Sequence, residues 1–137
     1  MRLAFADSGY WIALLNPQDG LHQKALQVSN EDLGRSIVTT ELVLVEVLND
    51  LSGRSAHLRA GAVRLVEELE ANERVAVVSS ERLLFRSALG LYRDRPDKTW
   101  SLTDCASFIV MQERGIAEAL AHDVHFEQAG YRALLRA

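Results

Sequence analysis

Leu3-Ala4-Phe5-Ala6-Asp7-Ser8 is the stretch that decides the fold. Its apolar run predicts a short strand, Leu3–Ala6, and the acid that ends the run leads into a helix, Ser8–Leu15, with Ser8 as the expected N-cap. The same order returns further along the chain. Residues 36–39, with the β-branched Ile37 and Val38, make a second strand, followed by a helix over Glu41–Leu51. Helix Ala56–Ala71 leads to strand Val75–Val78, and a helix over 102–114 leads to a strand over 117–121. Strands alternating with helices predict an α/β fold built on a mainly parallel sheet.

The remaining segments fill in around that frame. Asn16-Pro17-Gln18-Asp19-Gly20 has turn chemistry, and 21–32 reads as a helix with Leu21, Ala25, Leu26 and Val28 near one face. Residues 80–92 form an Arg-rich helix, 93–98 a polar loop, 124–130 a turn and 131–134 a last extended piece. The helix Glu41–Leu51 is apolar on nearly every side and is expected in the core.

Composition narrows the function classes. At 137 residues, the chain is expected to form one domain, 1–137, with a single sizeable core. With 48% apolar and 25% charged residues it reads as globular, without a disordered tail. The lone Cys105 excludes an internal disulfide and fits a reducing, cytoplasmic setting. No apolar run approaches a membrane span, and Arg2 with the interrupting Asp7 does not read as a signal peptide. A formal net charge of −4 argues against a generic nucleic-acid binder relying on a basic surface. It is compatible with a nuclease whose acidic pocket is neutralised by metal.

Four carboxylates stand where surface acids are not expected. Asp7 ends an apolar strand, Glu46 interrupts Leu42-Val43-Leu44-Val45 and Val47-Leu48, Asp104 opens an apolar helix, and Asp123 follows Ala119-Leu120-Ala121. A buried, unpaired carboxylate costs several kcal/mol, so such acids need hydrogen bonds or a cation. Each also has a structural reading. Asp7 and Asp123 suit turns, Glu46 and Asp50 suit a narrow wet stripe, and Ser101-Leu102-Thr103-Asp104 matches a capping box. Ligands of open parallel sheets bind beyond the carboxyl ends of the strands, which places Asp7, Glu46 and Asp123 on one edge. Asp104 is harder to place, since residues 97–101 make a poor strand. If all four converge, the natural compensation is a divalent ion, and the expected chemistry is metal-dependent phosphodiester hydrolysis.

Other chemistry-bearing residues read more modestly. His122 and His125 flank Asp123 and are expected in substrate contact, packing or solvent, and Cys105 as a small core residue. Ser8 and Thr103 adjoin acids and are auxiliary candidates for orienting a ligand or water; both also suit helix starts. Arg82 and Arg86, four apart on one helix face, begin a stretch with Arg93, Arg95 and Lys98. That stretch reads either as a phosphate track for RNA or as a solvated face, and Trp11, Tyr92 and Trp100 either as base-stacking rings or as core.

The stretches Phe5-Ala6-Asp7-Ser8, Thr39 to Asn49, Ser101-Leu102-Thr103-Asp104-Cys105-Ala106-Ser107-Phe108 and Ala121 to Tyr131 run in the order found in PIN domains. The chain resembles that family over essentially its whole length, and in particular the VapC-type ribonuclease toxins of prokaryotic toxin–antitoxin pairs. The resemblance implies a single α/β/α domain with a central, mainly parallel sheet of four or five strands between helices. It implies that Asp7, Glu46, Asp104 and Asp123 hold Mg²⁺ or Mn²⁺ and hydrolyse RNA by direct attack of water. It implies a cognate antitoxin as partner, and leaves the oligomeric state open, a homodimer included. His122 departs from the family, standing where a small or hydroxyl residue is common. A solitary RNA-processing nuclease, a phosphatase-like domain and a non-catalytic phosphate-binding domain are the alternatives. An aspartyl-nucleophile phosphatase would want Asp-x-Asp, whereas Ser8-Gly9 follows Asp7.

Overall fold

The computed structural model describes residues 2–31 and 33–136. Its elements alternate as expected: β1 (Leu3–Ala6), α1 (Ser8–Leu15), α2 (His22–Glu31), β2 (Ser36–Thr40), α3 (Glu41–Leu51), α4 (Ala56–Ala71), β3 (Val75–Val78), α5 (Arg82–Asp94), α6 (Leu102–Glu113), β4 (Glu118–Leu120), α7 (Val124–Gln128) and β5 (Arg132–Ala133). The expected end of the second helix at Asp32 lies outside the described residues.

The strands form one five-stranded sheet in the order β3-β2-β1-β4-β5, and every pairing is parallel. β1 is central, with Phe5 registered against Val38 of β2 and Ala119 of β4. A central parallel strand is covered on both faces, which is why Ala4, Phe5 and Ala6 are all fully buried and show no polar alternation. The chain builds outward from β1 through β2 to β3, then returns to the other side for β4 and β5. The order therefore reverses beside β1, and the crevice in which such sheets usually bind ligands would lie beyond the carboxyl ends of β1 and β4.

Two groups of helices complete the α/β/α layers. α1 packs on α2, α3 and α4, while α6 packs on α5 and α7. Phe108 anchors the second group, its ring lying 4.9 Å from Trp100, 5.1 Å from Phe126 and 5.9 Å from Tyr131, centroid to centroid. Phe126 in turn meets Phe5 at 6.3 Å. These aromatic contacts fix the starts of α6 and α7 against the tip of β1, where the crevice lies.

Several local expectations are corrected. Asp7, not Ser8, is the N-cap residue of α1, because its backbone is still extended while Ser8 is already helical. Only one side of α3 is in the core. Val43, Leu44, Val47 and Leu51 are buried, but the helical repeat turns Val45 outward, where it is 48% exposed. α5 runs on to Asp94, since no helix breaker intervenes before Pro96. The turn after Asp123 contains the short helix α7, with Asp123 at its N-cap and Gly130 beyond its end at φ +96°.

The join between β2 and α3 is held by two buried threonines. Thr39 Oγ1 donates to the Ala6 carbonyl at 2.9 Å, tying β2 to the end of β1. Thr40 Oγ1 accepts the Val43 N–H at 3.1 Å and caps α3. Thr40→Ala should lower unfolding free energy by about 1 kcal/mol in urea titration. An unchanged midpoint would show that this cap contributes nothing.

Candidate metal centre

Each acid reaches the crevice from a different element. Asp7 follows β1, and its N–H donates to Leu120 O of β4 at 3.1 Å, so its position is set by the strand pairing itself. Glu46 lies in the second turn of α3, Asp104 in the first turn of α6, and Asp123 at the N-cap of α7. Asp7 and Asp104 are each only 7% exposed, Glu46 is half-buried and Asp123 is exposed.

The four carboxylates lie close enough to act on one another electrostatically. The Asp7 carboxyl is pushed up to about 7, chiefly by burial and further by the charges of Asp104, Glu46 and Asp123, against a lowering hydrogen bond from the Ser8 backbone. Glu46 is also raised by burial, with Asp104 and Asp123 adding to the rise, while hydrogen bonds from the Ser8 and Thr103 side chains oppose it. The Ser8 hydroxyl donates to Glu46 Oε1 at 2.9 Å. Both hydroxyls next to the acids are therefore turned toward Glu46, not toward solvent.

Asp104 satisfies both readings of its sequence. Its Oδ2 accepts the Ser101 N–H at 3.0 Å and its own N–H donates to Ser101 Oγ at 3.0 Å, a complete capping box. The same Oδ2 lies 2.9 Å from His125 Nδ1. Capping fixes this carboxylate and leaves it facing the crevice.

His125, expected in substrate contact, packing or solvent, stands among the acids. Its Nδ1 also lies 3.2 Å from Asp123 Oδ1, and its Nε2 lies 3.2 Å from Thr99 Oγ1. Donor atoms of Asp104, Asp123 and His125 all fall within 4.8 Å of one another. The available signal was the two-residue spacing from an N-cap Asp: Asp123 Oδ1 accepts the His125 N–H at 2.9 Å, folding the imidazole back over the acids. His122 does not join them; it is exposed, and its carbonyl accepts from Arg136 at 3.0 Å.

The donor set fits a divalent cation. Clustered carboxylates, one of them pushed up to about 7 chiefly by burial and further by its neighbours' charges, favour a hard ion that would relieve their repulsion. Cys105 offers no rival chemistry, since it is buried and its thiol is pushed up to about 11 by burial and then by Asp104.

The basic and aromatic candidates separate. Trp11 and Trp100 are buried, whereas Tyr92 is exposed. Arg82 and Arg86 are exposed in the first turns of α5. Their neighbours Leu83, Leu84 and Ser87 share a cavity with Val110, Glu113 and Arg114 at the far end of α6, about 9–15 Å along that helix from Asp104. The structure does not bring this pair of arginines to the acids.

A family model described as the PIN domain matches residues 4–130. Two proteins named 23S rRNA-specific endonuclease VapC20, from two strains of Mycobacterium tuberculosis, are each 31% identical over 134 residues, spanning 94% of this chain and 95% of theirs. A crystal structure of Mycobacterium tuberculosis VapC20, a Sarcin-Ricin loop cleaving toxin, is similar with a TM-score of 0.79 and 27% identity, covering 94% of this chain and 95% of that one. Likeness over that length, on a sheet whose reversal point gathers these acids, means that the chain belongs to the PIN domain family, among its VapC-type ribonucleases.

Proposed function

We propose that this chain is a divalent-metal-dependent endoribonuclease, active in the cytoplasm as the toxin of a toxin–antitoxin pair. The observation that supports the reading is the mutual electrostatic influence of Asp7, Glu46, Asp104 and Asp123, with the Asp7 carboxyl pushed up to about 7 chiefly by burial and further by the other three. Asp7 and Asp104 would hold Mg²⁺ or Mn²⁺ directly, and Glu46 and Asp123 directly or through water. Such an ion supplies positive charge to the phosphate and leaving oxygen and acidity to water. Ser8 and Thr103 act as positioning residues by fixing Glu46, which then orients the attacking water. Cys105 is buried and its thiol is pushed up to about 11, so it is no covalent nucleophile, and water attacks phosphorus directly.

The substrate is RNA with an accessible single-stranded or looped segment, in line with the named targets of the VapC20 relatives. Arg82 and Arg86 assist its approach through long-range attraction to phosphate, remote from the acids. A cognate antitoxin is the expected protein partner. Among the described residues no helix is long and apolar enough to cross a membrane. The reading is tested by incubating the protein with structured RNA and with a small phosphomonoester, each with Mn²⁺ or with chelator. Cleavage of RNA alone, and only with metal, is expected; release of phosphate from the monoester would favour a phosphatase instead.

A further inference from the structure

Tyr92, Arg93, Arg95, Lys98, Thr99 and Trp100 line a groove of about 380 Å³ at the end of α5 and in the loop entering α6. Its volume falls in the range of small-ligand pockets. The groove adjoins the acids: Thr99 Oγ1 lies 3.2 Å from His125 Nε2, and the opposite nitrogen of that ring lies 2.9 Å from Asp104.

One wall is a fixed plane. The Arg95 guanidinium sits 5.0 Å from the centroid of the Trp100 ring. Its Nε and Nη2 donate to Asp97 Oδ1 and Oδ2, each at 3.0 Å, in a two-pronged pair that fixes the orientation of the fork. Trp100 is itself immobilised, donating from Nε1 to Gln128 Oε1 at 3.0 Å and packing edge-on against Phe108. The Arg95 side chain nonetheless remains 41% exposed, and Tyr92 on the same groove is 53% exposed. An exposed ion pair contributes little to stability, so stability alone is a weak reason for this arrangement. A planar, weakly hydrated guanidinium held in one orientation is a surface on which bases stack, as is an exposed tyrosine ring. Arg93, Arg95 and Lys98 outnumber Asp94 and Asp97, which leaves the groove slightly cationic beside an acidic centre.

We propose that this groove is a nucleobase slot beside the scissile phosphate, with an unpaired RNA base stacked on Tyr92 and on the Arg95 plane and with Lys98 and Arg93 meeting adjacent phosphates. The slot rests on the ribonuclease reading above and adds to it the residues that select an unstacked base. Base stacking on such side chains is worth about five- to a hundredfold in affinity.

The test uses Tyr92→Leu, which keeps bulk but removes the π face, and Arg95→Lys, which keeps charge but removes the plane. Cleavage of a looped RNA is measured alongside a series in which each nucleotide near the cut is made abasic in turn. Each substitution should lower kcat/KM by about five- to a hundredfold on intact RNA, and the loss should vanish on one abasic position. In parallel, RNA carrying 2-aminopurine at that position is bound to the full-length Asp104→Asn protein. Its fluorescence should be quenched, and Tyr92→Leu should relieve the quenching. Equal losses on intact and abasic RNA, or no loss at all, would overturn the slot while leaving the ribonuclease reading intact. The slot is equally overturned if the substitutions weaken only binding of a protein partner. A wild-type protein that cuts no RNA yet quenches 2-aminopurine through Tyr92 would overturn the ribonuclease reading and keep the slot.

Discussion

Asp104→Asn should reduce metal-dependent RNA cleavage by about 10²–10³-fold or more while the protein stays folded. Asn has nearly the shape of Asp and keeps a side-chain oxygen for the Ser101 N–H, so the capping box at the start of α6 largely survives. What it loses is the negative charge facing the crevice, while the oxygen that holds the Ser101 N–H stays beside His125 Nδ1. Deleting one preorganised electrostatic group at a reacting centre typically costs a hundredfold to a thousandfold. Cleavage rates on the folded variant, with circular dichroism as the folding check, decide the matter. Full activity would leave Asp104 with capping as its only role.

Asp7→Asn should abolish activity as well, yet make the metal-free protein more stable at pH 8 by up to about 4 kcal/mol. The Asp7 carboxyl has a pKa of about 7 when folded, against 3.8 ordinarily, with burial as the largest cause. Between those values the folded protein holds a proton that the unfolded chain has released. Stability without metal is therefore complete below about pH 4, falls as pH rises toward 7, and stays low above it. Asn carries no such proton, so the variant's stability should decline less than the wild type's, with the raised Glu46 as the remaining cause. Mn²⁺ should raise the wild-type melting temperature most at high pH, because an ion that binds only the folded state stabilises it by mass action. Melting curves from pH 4 to 8 with and without Mn²⁺ provide the measurement. A wild type and variant declining in parallel would mean that Asp7 is not the strained acid.

Much of this was legible in the sequence because the fold depends on patterns that are local. The unbroken apolar run Leu3–Ala6 marked a strand covered on both faces, and the alternation with helices marked a parallel sheet. Asp7 and Asp123 could be placed because strand ends are local features, and Glu46 because an acid inside an apolar helix is locally anomalous. Asp104 could not, since it reaches the crevice from a helix whose entry is an irregular loop, and only tertiary packing of Trp100 and Phe108 brings it there. The direction of His125, named beside Asp123 in the sequence, was not legible for a similar reason: it depends on a backbone hydrogen bond to Asp123 that no periodicity announces. Arg82 and Arg86 looked equivalent to Arg93 and Arg95 in a linear charge count. The length of α5 carries the two pairs to opposite ends of α6.

Because Asp7 sits at the tip of the first strand and Asp123 just past the fourth, every element from β1 to β4 must be made before the site can close. A nascent chain emerging from the ribosome carries Asp7 and Glu46 long before β4 is available to pair with β1, so no partial product can assemble the set. On the reading proposed above, this order of synthesis is a safeguard for an enzyme that acts on RNA: the cutting centre comes into being only after β4 has been made and has paired with β1.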